Sequence, residues 1–77
     1  MTPQDMADYK MRWKMQGGYP VRVHSDLHIE TKDWCRRNVE RQCWSFENYT
    51  GAYEHTFWFE HEKDAVRFRE SFSNAIY

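Results

Sequence analysis

Three side chains that can bind a metal ion occupy alternate positions of the segment His24-Ser25-Asp26-Leu27-His28. Alternate residues of an extended segment lie on the same side, so His24, Asp26 and His28 could converge on one ion. Histidine and aspartate are accepted zinc ligands, and zinc takes three or four ligands in proteins. The spacing matches no established zinc signature, however, and a solvated turn in which Asp26 accepts local backbone hydrogen bonds explains the same residues. We expect the turn and keep a metal site as an alternative.

The two cysteines, Cys35 and Cys43, are eight residues apart, which does not resemble a CxxC pair. On one continuous helix they would be separated by about 12 Å along the axis, whereas a disulfide needs Cα atoms within about 7 Å. Cys35 falls on the apolar side of a predicted helix, where a thiol packs as a small hydrophobic group. We therefore expect core packing rather than redox or nucleophilic chemistry.

A modest cationic surface is predicted where basic residues recur at helical spacing. Lys32 is four residues before Arg36, and Arg37 is four residues before Arg41, so each pair stacks on one side of a helix. A solvated helix face is the simplest interpretation. Docking to an acidic protein surface or to RNA is the alternative.

Binding of RNA or single-stranded DNA would combine Arg36, Arg37 and Arg41 with base stacking on Trp58 or on the nearby tyrosines. The segment His55-Thr56-Phe57-Trp58-Phe59 contains no glycine, so it lacks the basic-Gly-aromatic-Gly/Ala-aromatic motif of RNA-binding sheets. The formal net charge of −1 provides no general attraction to phosphate. Nucleic-acid binding is therefore a second hypothesis.

Motifs that indicate catalysis are missing from the sequence. There is no paired set of catalytic carboxylates and no nucleophile elbow, and the three glycines are too few to form a phosphate-binding loop. We predict no enzymatic activity and no cofactor.

Two helices are predicted from the periodic spacing of their apolar residues. In residues 61–72, Ala65, Phe68 and Phe72 follow one another at intervals of 3 and 4, and acidic residues occupy the first turn. In residues 31–41, Thr31 is the expected N-cap. The expected buried stripe of this second helix consists of Trp34, Cys35, Asn38 and Val39.

Three strands are predicted from alternation of apolar and polar residues, in residues 19–24, 43–47 and 55–60. Turn-forming residues separate the last two, which predicts an antiparallel pair. The inward faces would carry large aromatic side chains. The predicted inward-facing aromatic residues of the strands and helices together are Trp34, Trp44 or Phe46, Phe57, Phe59, Phe68 and Phe72.

The first 16 residues fit two patterns. Tyr9, Met11, Trp13 and Met15 alternate with basic residues, as in a strand. Thr2-Pro3 is instead typical of a helix start, and a helix would place Met6, Tyr9 and Trp13 on one face before Gly17-Gly18 stops it. We favour the helix and keep the strand open.

The order from residue 19 is thus β-α-β-β-α, which predicts an α+β fold: a small antiparallel sheet with two helices on one face. This is a ferredoxin-like arrangement with an extra N-terminal helix or strand. We expect one domain over residues 1–77, with an N-terminal segment 1–18 and an α+β core 19–73. The second sheet face would be polar except for Trp58; its other members are Arg22, His24, Ser45, Glu47 and Thr56.

Aromatic residues make up 18% of the chain, whereas leucine occurs once. The core accounts for most of them, but Trp58, with Tyr49 and Tyr53 near it, has no evident role in a single chain. A second copy covering the open sheet face would bury this indole and help a short chain to bury more apolar area. We therefore expect a homodimer.

No stretch approaches the roughly 20 apolar residues of a membrane span, and the N-terminus has no signal-peptide pattern. We expect no membrane association, a cytoplasmic location and reduced thiols.

Four segments together resemble small proteins of marine T4-like phages, including cyanophages, and of ocean metagenomes. They are Val21-Arg22-Val23-His24-Ser25-Asp26-Leu27, Lys32-Asp33-Trp34-Cys35-Arg36-Arg37-Asn38, Trp44-Ser45-Phe46 and Tyr53-Glu54-His55-Thr56-Phe57-Trp58-Phe59-Glu60. The resemblance covers roughly residues 19–72. It implies expression in the cytoplasm of an infected bacterium and an accessory role toward a phage or bacterial host protein. It implies no activity, catalytic residue or cofactor.

Overall fold

A computed structural model of the protein describes residues 2–24, 28–48 and 54–73. Within these ranges the elements are three helices, α1 (Pro3–Met15), α2 (His28–Asn38) and α3 (Glu62–Ser71), and three strands, β1 (Tyr19–His24), β2 (Trp44–Asn48) and β3 (Glu54–Phe59). A short 3₁₀ turn, Arg41–Cys43, precedes β2. The predicted α+β class is confirmed. None of the described helices is long and apolar enough to cross a membrane.

The N-terminal segment is a helix, so the strand alternative is wrong. Its start is fixed by a reciprocal capping box: the Asp5 backbone N–H donates to the Thr2 hydroxyl at 3.2 Å, and the Thr2 N–H donates to the Asp5 carboxylate at 3.3 Å. Pro3 occupies the first turn, where its missing N–H leaves no bond unmade. Beyond the end of the helix, Gly17 adopts a φ of 103°, which favours glycine.

The three strands form one antiparallel sheet in the order β1-β3-β2. In the register, Phe57 faces Val21 on one side and Phe46 on the other, while Trp58 lies between Pro20 and Ser45. The predicted alternation is thus correct, with one apolar inner face and one largely polar outer face. Pro20 lies in β1, an edge strand of this sheet, and edge strands are the positions in sheets where proline is tolerated.

The core lies between the inner face of the sheet and helices α2 and α3. Phe57, Phe59 and Phe68 are fully buried, and the ring of Phe68 lies 5.1 Å from the centroids of both other rings. Rings at such separations pack favourably in tilted arrangements. The partly buried residues around this core are Trp34, Trp44, Phe46 and Phe72. The inward-facing aromatic residues are therefore those predicted.

Helix α2 differs from the prediction at both ends. It begins at His28, so Thr31 lies within the helix, fully buried, and is not the N-cap. It ends at Asn38, whose exposed side chain donates to the Trp34 carbonyl at 2.9 Å instead of joining the buried stripe. Such local side-chain bonds to the backbone compete with helix continuation. Arg41 therefore lies in the 3₁₀ turn rather than on α2.

Helix α1 is attached to the core through Trp13, which is buried. Its indole N–H donates to the carbonyl of Gln42 at 2.9 Å. A Cβ atom at Gly18 would lie 2.9 Å from the same ring, so only glycine permits this packing. The next residue, Lys14, pairs with Glu47 of β2 at 3.2 Å. Helix α1 therefore lies against the 3₁₀ turn and flanks the outer face of the sheet along β2.

Candidate interaction surfaces

The first candidate surface is an open cleft between α1 and the outer face of the sheet, with a volume of about 470 Å³. We call it the outer-face cleft. Its walls include Met11, Lys14 and Met15 from α1 and Ser45, Glu47 and Trp58 from the sheet. The predicted open face is therefore bordered on one side by the N-terminal helix, and Trp58 is half-buried.

Apolar side chains remain accessible in the outer-face cleft. Met11 is 61% exposed and Met15 is 82% exposed. The indole N–H of Trp58 is buried and has no hydrogen-bond partner among the described residues. A buried donor without a partner is uncommon, because it gives up its bond to water without replacing it. Tyr49 and Tyr53, the other aromatic residues expected here, lie outside the described residues.

The second candidate surface is a cleft of about 530 Å³ between α1, α2 and the 3₁₀ turn. We call it the cationic cleft; it is lined by Met6, Lys10, Arg36, Arg41 and Trp44. Two of the three predicted arginines meet here, although they come from separate elements. Arg37 is exposed on α2 and does not line this cleft, and Lys32 lies over the ring of Phe46 at 3.9 Å.

Like charges are concentrated in the cationic cleft. Burial lowers the pKa of Lys10, and the positive charges of Lys14 and Arg41 lower it further. Arg36 makes an exposed contact of 3.1 Å with Asp33, and such pairs contribute little stability. The Lys10 ammonium lies 5.6 Å from the ring centroid of Trp44, which forms an aromatic wall. The cleft therefore combines positive potential with a flat apolar surface.

A third cluster brings together Cys43 at the end of the 3₁₀ turn, Glu60 immediately after β3, and His61 as the N-cap of α3. We call it the Cys43 cluster. One possible ligand atom from each of these residues lies within 4.8 Å of the others. The two carboxylate oxygens of Glu60 are 2.8 and 2.7 Å from the hydroxyl of Tyr9, which donates to them.

Both thiols are unpaired, as expected, and both are buried. Burial raises the pKa of Cys35 to about 12, with a further contribution from the charge of Asp64. Burial likewise raises the pKa of Cys43 to about 12, and here the hydrogen bond to Glu60 and the neighbouring carboxylates add to the effect. The protonated form of Cys43 is therefore favoured unless a cation takes the place of its proton.

The sequence reasoning missed the Cys43 cluster, although the strand pattern contains a signal for it. In the observed register Trp44 faces Phe59, so the residues just beyond these ends, Cys43 and Glu60, are neighbours across the sheet. The Glu60 N–H donates to the Cys43 carbonyl at 2.9 Å, which continues the ladder by one bond. The predicted strands, residues 43–47 and 55–60, already include both residues, so aligning them in this register would have found the pair.

The histidine and aspartate segment considered first for metal binding connects β1 to α2. His24 ends β1 and His28 begins α2. Asp26 and the side chains of both histidines lie outside the described residues, so the turn and the metal site both stay predictions.

No known family profile, curated protein or solved structure shows significant similarity to the chain. The function is therefore argued from the three surfaces themselves.

Proposed function

We propose that this chain is a small non-enzymatic interaction module that self-associates through the outer face of its sheet, with Trp58 at the centre of the contact. The observation that carries the proposal is the exposure of Met11 and Met15 beside this indole, 61% and 82% respectively. Exposed apolar groups gathered around an aromatic residue on an otherwise polar face are typical of protein-binding surfaces.

A second copy of the chain is the proposed occupant because the surface is complementary to itself. In a twofold dimer the same patch is present on both sides. Lys14 and Glu47 lie at the border of the cleft, 3.2 Å apart, and each could pair with its counterpart from the other copy. A standard interface covers about 800 Å² per partner, roughly 15% of the 5435 Å² of accessible surface of the chain.

The resemblance to proteins of marine T4-like phages supplies a setting for this proposal. An accessory protein in the cytoplasm of an infected bacterium would act by binding a phage or host protein, and a self-associating module fits such a role. The proposal includes no catalytic step and no cofactor.

The fold proposal can also be made more specific. We propose a ferredoxin-like sandwich without its last strand, because β1 and β2 run parallel on either side of β3 and are joined through α2. This is the split β-α-β arrangement of that fold. Helix α1 is the additional N-terminal element.

Light scattering coupled to size-exclusion chromatography tests the dimer with the full chain at micromolar concentration. We expect a mass twice the 9.5 kDa of one chain. Met15→Lys places a charge in the contact and should raise the dimer dissociation constant at least about tenfold. Because Met15 is 82% exposed, this change leaves the packing of the monomer intact.

Ile29→Lys is the matched control, since Ile29 is an exposed apolar residue of α2 that does not line the outer-face cleft. It should leave the dimer unchanged. A wild-type monomer, or a dimer that Met15→Lys and Trp58→Ala both leave intact, would contradict the proposal.

Binding of RNA or single-stranded DNA is the second candidate function, and the cationic cleft favours it. Arg36 and Arg41 converge with Lys10 at the ring of Trp44, which supplies phosphate contacts and a stacking surface together. The indole involved is thus Trp44 rather than Trp58. Tryptophan fluorescence titrated with short single-stranded oligonucleotides at low and high salt tests this function: quenching should occur at low salt and weaken with added salt. No quenching at low salt would eliminate it.

A further inference from the structure

We propose that the Cys43 cluster is a zinc site, in which Cys43, Glu60 and His61 supply the sulfur, oxygen and nitrogen ligands. This proposal is independent of self-association and of nucleic-acid binding, because it uses none of the residues of the two clefts. It also uses neither of the histidines that the sequence pattern first suggested.

The distances are close to those that zinc requires. The three ligand atoms lie within 4.8 Å of one another, and Glu60 Oε1 is 3.9 Å from His61 Nε2. In a tetrahedral site with zinc bonds of 2.0–2.3 Å, ligand atoms are separated by roughly 3.3–3.8 Å. The separations between the ligand atoms therefore need to shorten by only about 1 Å. Rotation of the half-exposed imidazole of His61 can provide this change.

The backbone that carries these ligands is held in place before any ion binds. The Glu60 N–H donates to the Cys43 carbonyl at 2.9 Å, and the Cys43 N–H donates to the Glu40 carbonyl at 2.8 Å. Cys43 and Glu60 thus stand opposite each other at the end of the β2–β3 ladder. His61 follows as the N-cap of α3. A site on such fixed elements requires little reordering of the chain.

Tyr9 acts as an outer support for the carboxylate. Its hydroxyl lies 2.8 and 2.7 Å from the two oxygens of Glu60 and donates a hydrogen bond to the group. Hydrogen bonds of this kind orient metal-binding carboxylates, and their loss typically weakens metal affinity. The contact links α1 to the site across 51 positions of the sequence.

The donor set selects the class of metal. Thiolate and imidazole ligands suit zinc, whereas calcium and magnesium prefer oxygen ligands alone. The carboxylates of Glu40 and Asp64 line the same small cavity as Cys43 and His61, and together with Glu60 they favour a dication there. Arg67 offsets part of this charge, since it lies 3.6 Å from Asp64.

An opening beside the cluster leaves room for a fourth ligand. A surface cavity of about 250 Å³ is lined by Cys43 and His61 together with Glu40, Lys63, Asp64 and Arg67. Three protein ligands with an open position are the arrangement found where zinc holds water or an exogenous ligand. We therefore expect the bound ion to be accessible from solvent.

Cobalt titration of the untagged, metal-free full chain tests the site, with absorbance as the readout. Tetrahedral cobalt should give visible d–d bands and a near-ultraviolet thiolate charge-transfer band at one equivalent, and zinc should remove both. Cys43→Ala should abolish the charge-transfer band. His61→Ala, at a half-exposed position, should weaken binding at least about tenfold, and Tyr9→Phe should weaken it about 10–100-fold.

His28→Ala is the matched control and should leave cobalt binding unchanged. Absence of a charge-transfer band in the wild type, or its persistence in Cys43→Ala, would overturn the proposal. So would a loss of binding in His28→Ala with none in His61→Ala. His61→Ala keeps the test decisive if Cys43→Ala fails to fold.

Discussion

The cationic cleft and the Cys43 cluster carry opposite charge, yet the same two elements help to build both. Helix α1 supplies Lys10 to the cleft and the adjacent Tyr9 to the cluster. The 3₁₀ turn supplies Arg41 to the cleft and Cys43 to the cluster. Neighbouring residues on a helix or a 3₁₀ turn point in different directions. The packing of α1 against the 3₁₀ turn therefore forms both surfaces.

The cationic cleft and the Cys43 cluster differ in whether neighbouring groups balance their charges. In the Cys43 cluster the carboxylate of Glu60 receives a hydrogen bond from Tyr9, and the thiol remains protonated. In the cationic cleft, Lys10 is partly buried near the positive charges of Lys14 and Arg41, and no carboxylate among the described residues pairs with it. Uncompensated like charges oppose folding, so an anion that binds the cleft would also stabilise the protein.

The largest expected effect comes from removing the support that both regions share. Trp13→Ala deletes a buried indole and its bond to the Gln42 carbonyl. It should reduce the free energy of unfolding by about 3–5 kcal/mol, measured by urea denaturation. Anion binding and cobalt binding should then be lost together. A loss below about 1 kcal/mol would mean that α1 is not needed to hold the core.

Reversing one charge should separate the regions. Arg41→Glu places a carboxylate in the cationic cleft and should raise the dissociation constant for single-stranded oligonucleotides at least about tenfold. Cobalt binding at the Cys43 cluster should remain within about twofold of the wild-type value, because Arg41 contributes no ligand to it. Equal losses in both assays would show that the regions are not separate sites.

The smallest expected effect concerns the pH dependence of stability. The pKa of Lys10 is lowered from its ordinary value of 10.5. As pH rises through the lowered pKa toward 10.5, Lys10 loses its proton in the folded state before it does so in the unfolded state. The free-energy cost of holding a charged amine in the folded state is then removed, so the free energy of unfolding rises. Relative to Lys10→Met, the wild type should gain stability as pH rises through the lowered pKa of Lys10 toward 10.5.

Thermal unfolding of both proteins at neutral pH and close to the ordinary lysine pKa measures this gain, as a small rise in the Tm of the wild type relative to the variant. A constant difference across the range would show that Lys10 is not under electrostatic stress.

Sequence reasoning predicted the elements whose residues repeat with a fixed period. Phe57 and Phe59 alternate with Trp58, and Ala65, Phe68 and Phe72 follow helical spacing, so the inner face and α3 could be assigned before the structure. The helix at the N-terminus followed from Thr2 and Pro3 and was favoured over the strand. These features depend only on local periodicity and capping chemistry.

The candidate sites depend on contacts between residues that are distant in the sequence and follow no regular spacing. The docking of α1 requires Trp13 to reach a backbone carbonyl at Gln42 and to pass over Gly18. The grouping of Arg36 with Arg41 was expected on one helix, but α2 stops at Asn38 and the two converge from separate elements. Self-association, the phage setting and nucleic-acid binding stay predictions for the experiments above.

The three residues of the 3₁₀ turn have three different tasks. Arg41 lines the cationic cleft, the carbonyl of Gln42 accepts the Trp13 indole bond, and Cys43 belongs to the donor cluster. Because a 3₁₀ turn has three residues per revolution, adding or removing one residue would send every following side chain in a new direction. The length of this connection is therefore more constrained than its composition, and the segment should tolerate substitutions far better than insertions or deletions.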